Sequence, residues 1–172
     1  PQFAIAAFAL DFLVEQRHWT AAAAGRLLFG YQLLGAIGRV GSGVWSDRVG
    51  SRLRPMRSVA AAAGLTMLAL ALGAAHHSVL AVVAIGVGVV VTVADNGLGF
   101  TASAELAGPL WAGRAMGVQN TGQNLTASLT PPLLGALITA SGFAAAFAVV
   151  AAFPLLAMAV VPIHAETSRA AQ

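Results

Sequence analysis

Gly43-Val44-Trp45-Ser46-Asp47-Arg48-Val49-Gly50-Ser51-Arg52 separates two long apolar runs, and four of the nine Arg in the chain fall between Arg48 and Arg57. The order of residues has a physical logic. Gly43 permits a close helix contact. Asp47 ends a helix where its carboxylate can meet a neighbouring helix N-terminus or an Arg. Gly50 allows a tight turn. Arg48 and Arg52 supply the charge expected on the inner face of a membrane.

Outward from this loop the chain is apolar in both directions. Of 172 residues, 58% are hydrophobic and 9% charged, with a mean hydropathy of +0.81. Soluble domains carry about 25% charged residues, so lipid is the expected solvent. Six apolar segments follow, each near the ~20 residues that cross a bilayer. They run from Phe3 to Val14, Ala21 to Trp45, Ser58 to Ala75, Ser78 to Ser103, Ala115 to Ala140 and Phe143 to Ile163. The first is short, which fits a chain whose start lies inside a longer protein. Pro1-Gln2-Phe3 has neither an initiator Met nor the order of a signal peptide. The runs are too long and continuous for the alternating ~10-residue strands of a membrane barrel. The expected fold class is an all-α membrane protein, a bundle of six transmembrane helices.

Charge then sets orientation. With the loop at Asp47–Arg57 inside, Arg48, Arg52, Arg54, Arg57, Arg114 and Arg169 share the inner side, against Arg17 and Arg26 outside. That asymmetry satisfies the positive-inside rule and places both chain ends in the cytoplasm. Pro131-Pro132 and Pro154 each remove a backbone donor and are expected to bend the fifth and sixth helices.

The quoted stretch resembles the major facilitator superfamily signature G-x-x-x-D-R-x-G-x-R, found in the loop joining the second and third helices of each half. Asn96-Gly97-Leu98-Gly99-Phe100 to Gly108, then Gly117-Val118-Gln119-Asn120-Thr121, look like helices ten and eleven of bacterial members. The resemblance covers essentially the whole chain and implies the C-terminal half of the general transporter fold. Residues 1–164 are then helices seven to twelve, with the first truncated, and 165–172 a polar cytoplasmic tail. The superfamily has twelve helices and this sequence supplies six. By resemblance, Gly43, Asp47, Arg48, Gly50 and Arg52 form a cytoplasmic gate latch, and Glu105 and Arg114 either join it in one charge cluster or remain solvated interfacial charges. A partner N-terminal half, in the same or a separate chain, a small-molecule substrate and coupling protons or ions are also implied, in the inner (plasma) membrane.

Charge inside a span costs at least ~2.5–3.5 kcal/mol at a helix centre and marks functional candidates. Arg39 precedes Asp47 by about 12 Å of helix at ~1.5 Å per residue. Gln32 lies two turns earlier on the same face. Either this stripe lines a central cavity, where Arg39 attracts an anionic solute or a carboxylate, or Arg39 snorkels to the headgroups. Asp95 and Asn96 sit in the inner half of the fourth span. Asp95 is read as a proton-coupling acid or, with a slight preference, as a partner of Arg39 or the latch. Asp11, near Glu15, is a cavity acid or an interfacial one. Asn120, Gln123, Asn124 and Ser128 recur at helical spacing as one polar face, for substrate or for neighbouring helices.

Enzyme signals are poor, and no cofactor is expected. His18, His76, His77 and His164 lack a metal-ligand pattern, there is no Cys, and Gly86-Val87-Gly88 lacks the third Gly of a dinucleotide loop. No basic stripe interleaves with aromatics, so nucleic acid is an unexpected partner. A membrane solute carrier with a weak lean to anionic or drug-like substrates leads. The rival is a six-helix membrane protein that transports nothing.

Overall fold

The computed structural model describes residues 1–162. Five helical elements follow one another: α1 (Gln2–Asp11), α2 (Ala21–Val49), α3 (Leu53–Ala75), α4 (Val79–Ala107) and α5 (Ala112–Val160). A π-helical turn, Phe12–Gln16, prolongs α1. Within α5 only Gly142 leaves helical geometry, at φ 80° and ψ 170°. That left-handed φ suits glycine, and it divides α5 into arms 112–141 and 143–160. The six segments expected from the sequence are therefore present as helix, and no strand occurs among the described residues. The break falls at Gly142. The backbone stays helical through Pro131, Pro132 and Pro154. The tail from residue 165 lies outside the described residues, as do His164 and Arg169.

Among the described residues, three helices are long and apolar enough to cross a membrane: α3, α4 and the 49-residue α5, which Gly142 divides into two arms. α1 has only 10 residues. α2 has 29, but Arg26, Gln32 and Arg39 dilute its apolarity. Successive passes alternate in direction. One end of the bundle carries the loop at Asp47–Leu53 and the α4–α5 connection. The other carries His18, His77 and Gly142, where the Arg17 guanidinium donates to the His77 carbonyl and ties two turns together.

The main core lies toward the histidine end. Phe12 and Leu13 of the π turn, Met67 and Leu70 of α3, Ile85 of α4 and Phe147 of α5 are fully buried. Phe12 meets Phe143 and Phe147 edge-on at 5.5 and 5.8 Å, a favoured aromatic geometry. Val59, Ala94 and Leu98 form a smaller cluster toward the other end. α4 is central, with α2 against one side of it and α3 and α5 on others. The α2–α4 approach is close because Gly35 and Gly38 face Val89 and Val90. Gly43, expected to make such a contact, has nothing within 4 Å of where its Cβ would lie.

Candidate functional site

The loop between α2 and α3 is built by its own sequence. Gly50 takes φ 63°, its N–H bonds the Asp47 carbonyl at 3.2 Å, and the Ser51 N–H bonds the Ser46 carbonyl at 3.4 Å. This paired closure satisfies carbonyls that a helix end leaves bare. The reversal brings Arg52 back along α2. Its Nη1 donates to Ser46 Oγ at 3.0 Å and to Asp47 Oδ1 at 2.5 Å. Its Nε donates to both Glu105 oxygens, at 3.1 and 3.3 Å. One guanidinium therefore clamps the end of α2 to the end of α4. The hydrogen bond to Asp47, followed by the contact with Glu105, outweighs desolvation and holds the Arg52 proton more firmly than on a free side chain.

Of the expected charge cluster, Asp47, Arg52 and Glu105 come together. Arg114 does not join them. It stacks over Trp111 at 4.6 Å, a cation–π contact that its helical neighbourhood makes easier to reach than the distant loop. Arg48 is exposed and enters no ion pair among the described residues. Ser46, completely buried, was missed. Its only sequence signal is the spacing of four from Ser42, another buried hydroxyl, which donates to the Arg39 carbonyl at 2.9 Å and lies 3.4 Å from the Ala94 carbonyl.

Asp47 and Glu105 are 65% and 53% exposed at their side chains, so each pair alone is worth about 0–1 kcal/mol. Held together by one planar fork, they should count as a unit. Lys cannot reproduce that fork. Arg52→Lys is expected to lower stability by roughly 1 kcal/mol, and Arg52→Ala by about 2. Thermal unfolding in detergent checks this, and an unchanged midpoint for Arg52→Ala would remove the clamp from the account.

Deeper in the bundle, amides link three helices. Asn96 Nδ2 donates to Gln2 Oε1 of α1 at 2.8 Å, and Gln123 Nε2 of α5 donates to Asn96 Oδ1 at 2.7 Å. About two turns along α4 from Asn96, Ser103 donates to Gln119 of α5. Gln2 and Gln119 were not singled out from the sequence, since a lone amide has no periodic signature. Gln123 takes the neighbouring-helix alternative and leaves the single face expected for the four. It turns inward to Asn96, whereas Asn120, Asn124 and Ser128 remain exposed. One helical step rotates a side chain by about 100°, enough to put Gln123 and Asn124 in different environments. Asn124 and Ser128 bond back to the Asn120 and Asn124 carbonyls, both at 2.9 Å.

Gln32 and Arg39 do share an exposed edge of α2. Arg39 lies along α4 beside Gly97, its Cγ 3.6 Å from where a Cβ would stand. It makes no ion pair with Asp95 or with the clamp, so the preferred pairing is not realised. The reason is rotational. Asp95 looks toward a cleft shared by α1, α3 and α5, two residues and about 200° around the helix from Gly97. Asp95 Oδ1 is buried there without a hydrogen-bond partner. No cluster of His, Asp or Glu among the described residues could hold a metal ion.

These features define a multi-pass, all-helical membrane bundle with a charged clamp at one end and polar groups at mid-depth. The Major Facilitator Superfamily profile matches residues 2–171, and the chain belongs to that superfamily. It is 47% identical over 167 residues to an uncharacterized MFS-type transporter of Mycobacterium tuberculosis, a match covering 95% of this chain and 37% of the relative. A second uncharacterized MFS-type transporter, from another strain of that organism, is 46% identical over 167 residues with the same coverage. The chain thus spans little more than a third of the length of the curated relatives it matches. No solved structure gives a significant match.

Proposed function

We propose that this chain is the C-terminal six-helix half of a secondary transporter that moves a small solute by alternating access, coupled to protons or another ion. Such carriers rock two halves around a site near the bilayer midplane. The observation that carries this reading is the uncovered edge of α2. Arg39 sits there at mid-helix, exposed and without a carboxylate among the described residues. A charge at that depth is costly unless it faces a polar path or a partner. An anionic solute, or an acid on the other half, would supply the missing charge. Gln32 on the same edge, and Asn120 and Asn124 on α5, add neutral hydrogen-bonding groups to such a path.

Small residues support a missing neighbour. Gly25, Gly30, Gly41 and Gly43 of α2 have open space where a Cβ would be, and small residues in membrane helices favour close approach of another helix. A second six-helix half, covalent or separate, would cover them. The clamp of Asp47, Arg52 and Glu105 then closes the cytoplasmic mouth in one state and opens as the halves rock. The clamp end of the bundle faces the cytoplasm, and the plasma membrane is the location.

Reconstitution tests the reading. Uptake into proteoliposomes should require both halves, and uptake by the 172-residue chain alone would overturn it. In the two-half protein, Asp47→Asn should insert normally yet transport at least tenfold more slowly. Wild-type rates would remove the latch role.

A further inference from the structure

α3 leaves one stripe of its surface uncovered along most of its length. Arg54, Arg57, Leu65, Leu68 and Leu72 are exposed and Ala61 is half-buried. Their successive spacings of three and four residues place them on one face of the helix. The opposite face, with Val59, Ala63, Met67 and Leu70, is buried. The stripe is cationic at its clamp end and hydrocarbon beyond, where Leu65 is 63% exposed. Leu155 of the second arm of α5 packs on α3 at Gly64 and is itself exposed, which widens the apolar strip. Arg57 precedes Leu65 and Leu68 by about 12 and 16 Å of helix at ~1.5 Å per residue. One leaflet's hydrocarbon is about 15 Å deep.

The two guanidinium groups at the head of the stripe have no counter-charge from the protein. Asp47 and Glu105, the acids at this end among the described residues, both bind Arg52. Arg54 and Arg57 enter no ion pair among the described residues. The first turn of α3 contains no acid, although the positive end of a helix dipole favours negative charge. Two cations there sit in an unfavourable field until an anion joins them. The face also differs from the uncovered edge of α2. Four glycines on α2 leave open space for another helix, whereas branched leucines project from α3. A pair of Arg above projecting leucines matches a phosphate carried on an acyl chain.

We propose that this face of α3 binds an anionic phospholipid, its phosphate on Arg54 and Arg57 and one acyl chain along Leu65 and Leu68. The inference goes beyond the transport function proposed above and needs only that the chain spans a bilayer. Arg52 is the N-cap of the same helix, so the headgroup borders the clamp.

Leu68→Cys introduces a single thiol, because the chain has no Cys, and a fluorophore attached there reports the lipid beside it. The labelled chain is placed in phosphatidylcholine nanodiscs with a minor fraction of phosphatidylglycerol, one lipid or the other carrying brominated chains. Brominated phosphatidylglycerol should quench as though enriched about 25-fold at the label. That is about fivefold per Arg, from ~1 kcal/mol for each basic residue near an anionic surface at ~1.4 kcal/mol per tenfold. Arg54→Gln combined with Arg57→Gln should lower the enrichment at least fivefold, and Arg26→Gln at the histidine end should leave it unchanged. Should the double variant fail to fold by circular dichroism, salt decides on the parent chain. Exposed charges are screened, so high NaCl should lower the enrichment at least fivefold. Equal quenching by the two lipids, or enrichment that survives both the double variant and high salt, would overturn the proposal. So would a label that neither lipid quenches, in this chain or in the two-half protein, because a second copy or the other half then covers the face. Soluble glycerol phosphate should not displace the lipid, and displacement at equal concentration would replace the lipid surface with a free phosphoester site. Enrichment in a protein that moves no solute would count against transport alone.

Discussion

Gly73→Ala should destabilise the bundle by about 3 kcal/mol, near the upper end of what overpacking costs. Gly73 stands in the last turn of α3, and its carbonyl accepts the Ser78 N–H at 3.0 Å to close the turn into α4. A Cβ there would lie 2.4 Å from Ala81 N and 2.8 Å from Ala81 Cα. Those are backbone atoms, so no rotamer change relieves the overlap and the α3–α4 turn must open. The cost corresponds to about two orders of magnitude in the folding constant. Denaturant titration in detergent reads it directly. Gly41→Ala is the matched control, because nothing lies within 4 Å of its Cβ position. There the gain in helix propensity, about 1 kcal/mol at most, should leave the chain as stable or slightly more so. Equal midpoints for the two variants would mean that the α3–α4 hairpin is not packed this tightly.

Arg39→Gln in the two-half protein should weaken binding of a small anion about 10- to 100-fold. A hydrogen bond to a charged partner is worth roughly 1.5–3 kcal/mol, and each 1.4 kcal/mol is about tenfold in affinity. Arg39→Lys keeps the charge but loses the planar fork, and an intermediate loss is expected. Equilibrium binding of small organic and inorganic anions, with insertion checked by helical content, separates the outcomes. Unchanged affinity in Arg39→Gln would mean that Arg39 only snorkels toward headgroups. Because Asp95 does not pair with Arg39, Arg39→Gln leaves no orphaned carboxylate behind. That makes the binding readout easier to interpret than for a broken buried ion pair.

The clamp was largely legible before any coordinates. Gly50 announces a left-handed turn, and Asp47 and Arg52 lie within a single helix-to-helix reversal, so local geometry alone brings them together. Glu105 was legible as a neighbour only because both ends were assigned to one side of the membrane. Arg114 shared that assignment and failed, since an end-of-helix position says nothing about which way a long side chain swings.

The amide chain was not legible. Gln2, Asn96 and Gln123 belong to three helices far apart in sequence, and no spacing rule connects them. Gln123 and Asn124 have the same chemistry and adjacent positions, yet one joins the interior and the other does not. The same holds for the glycines of α2. Gly35 and Gly38 carry the approach to α4, and Gly43, inside the signature, carries none of it.

What the sequence determined by itself was the number of helical passes, their ends, the loop that reverses α2 into α3, and the side to which most Arg belong. These follow from partition between water and lipid and from local backbone chemistry, which act on each segment separately. Only the tertiary structure decided which face of each helix is buried. In lipid both the core-facing and the lipid-facing residues are apolar, so hydrophobic periodicity carries little information about rotation. The separation of Arg39 from Asp95 around α4 is a consequence of that rotation, and it came from helix packing alone.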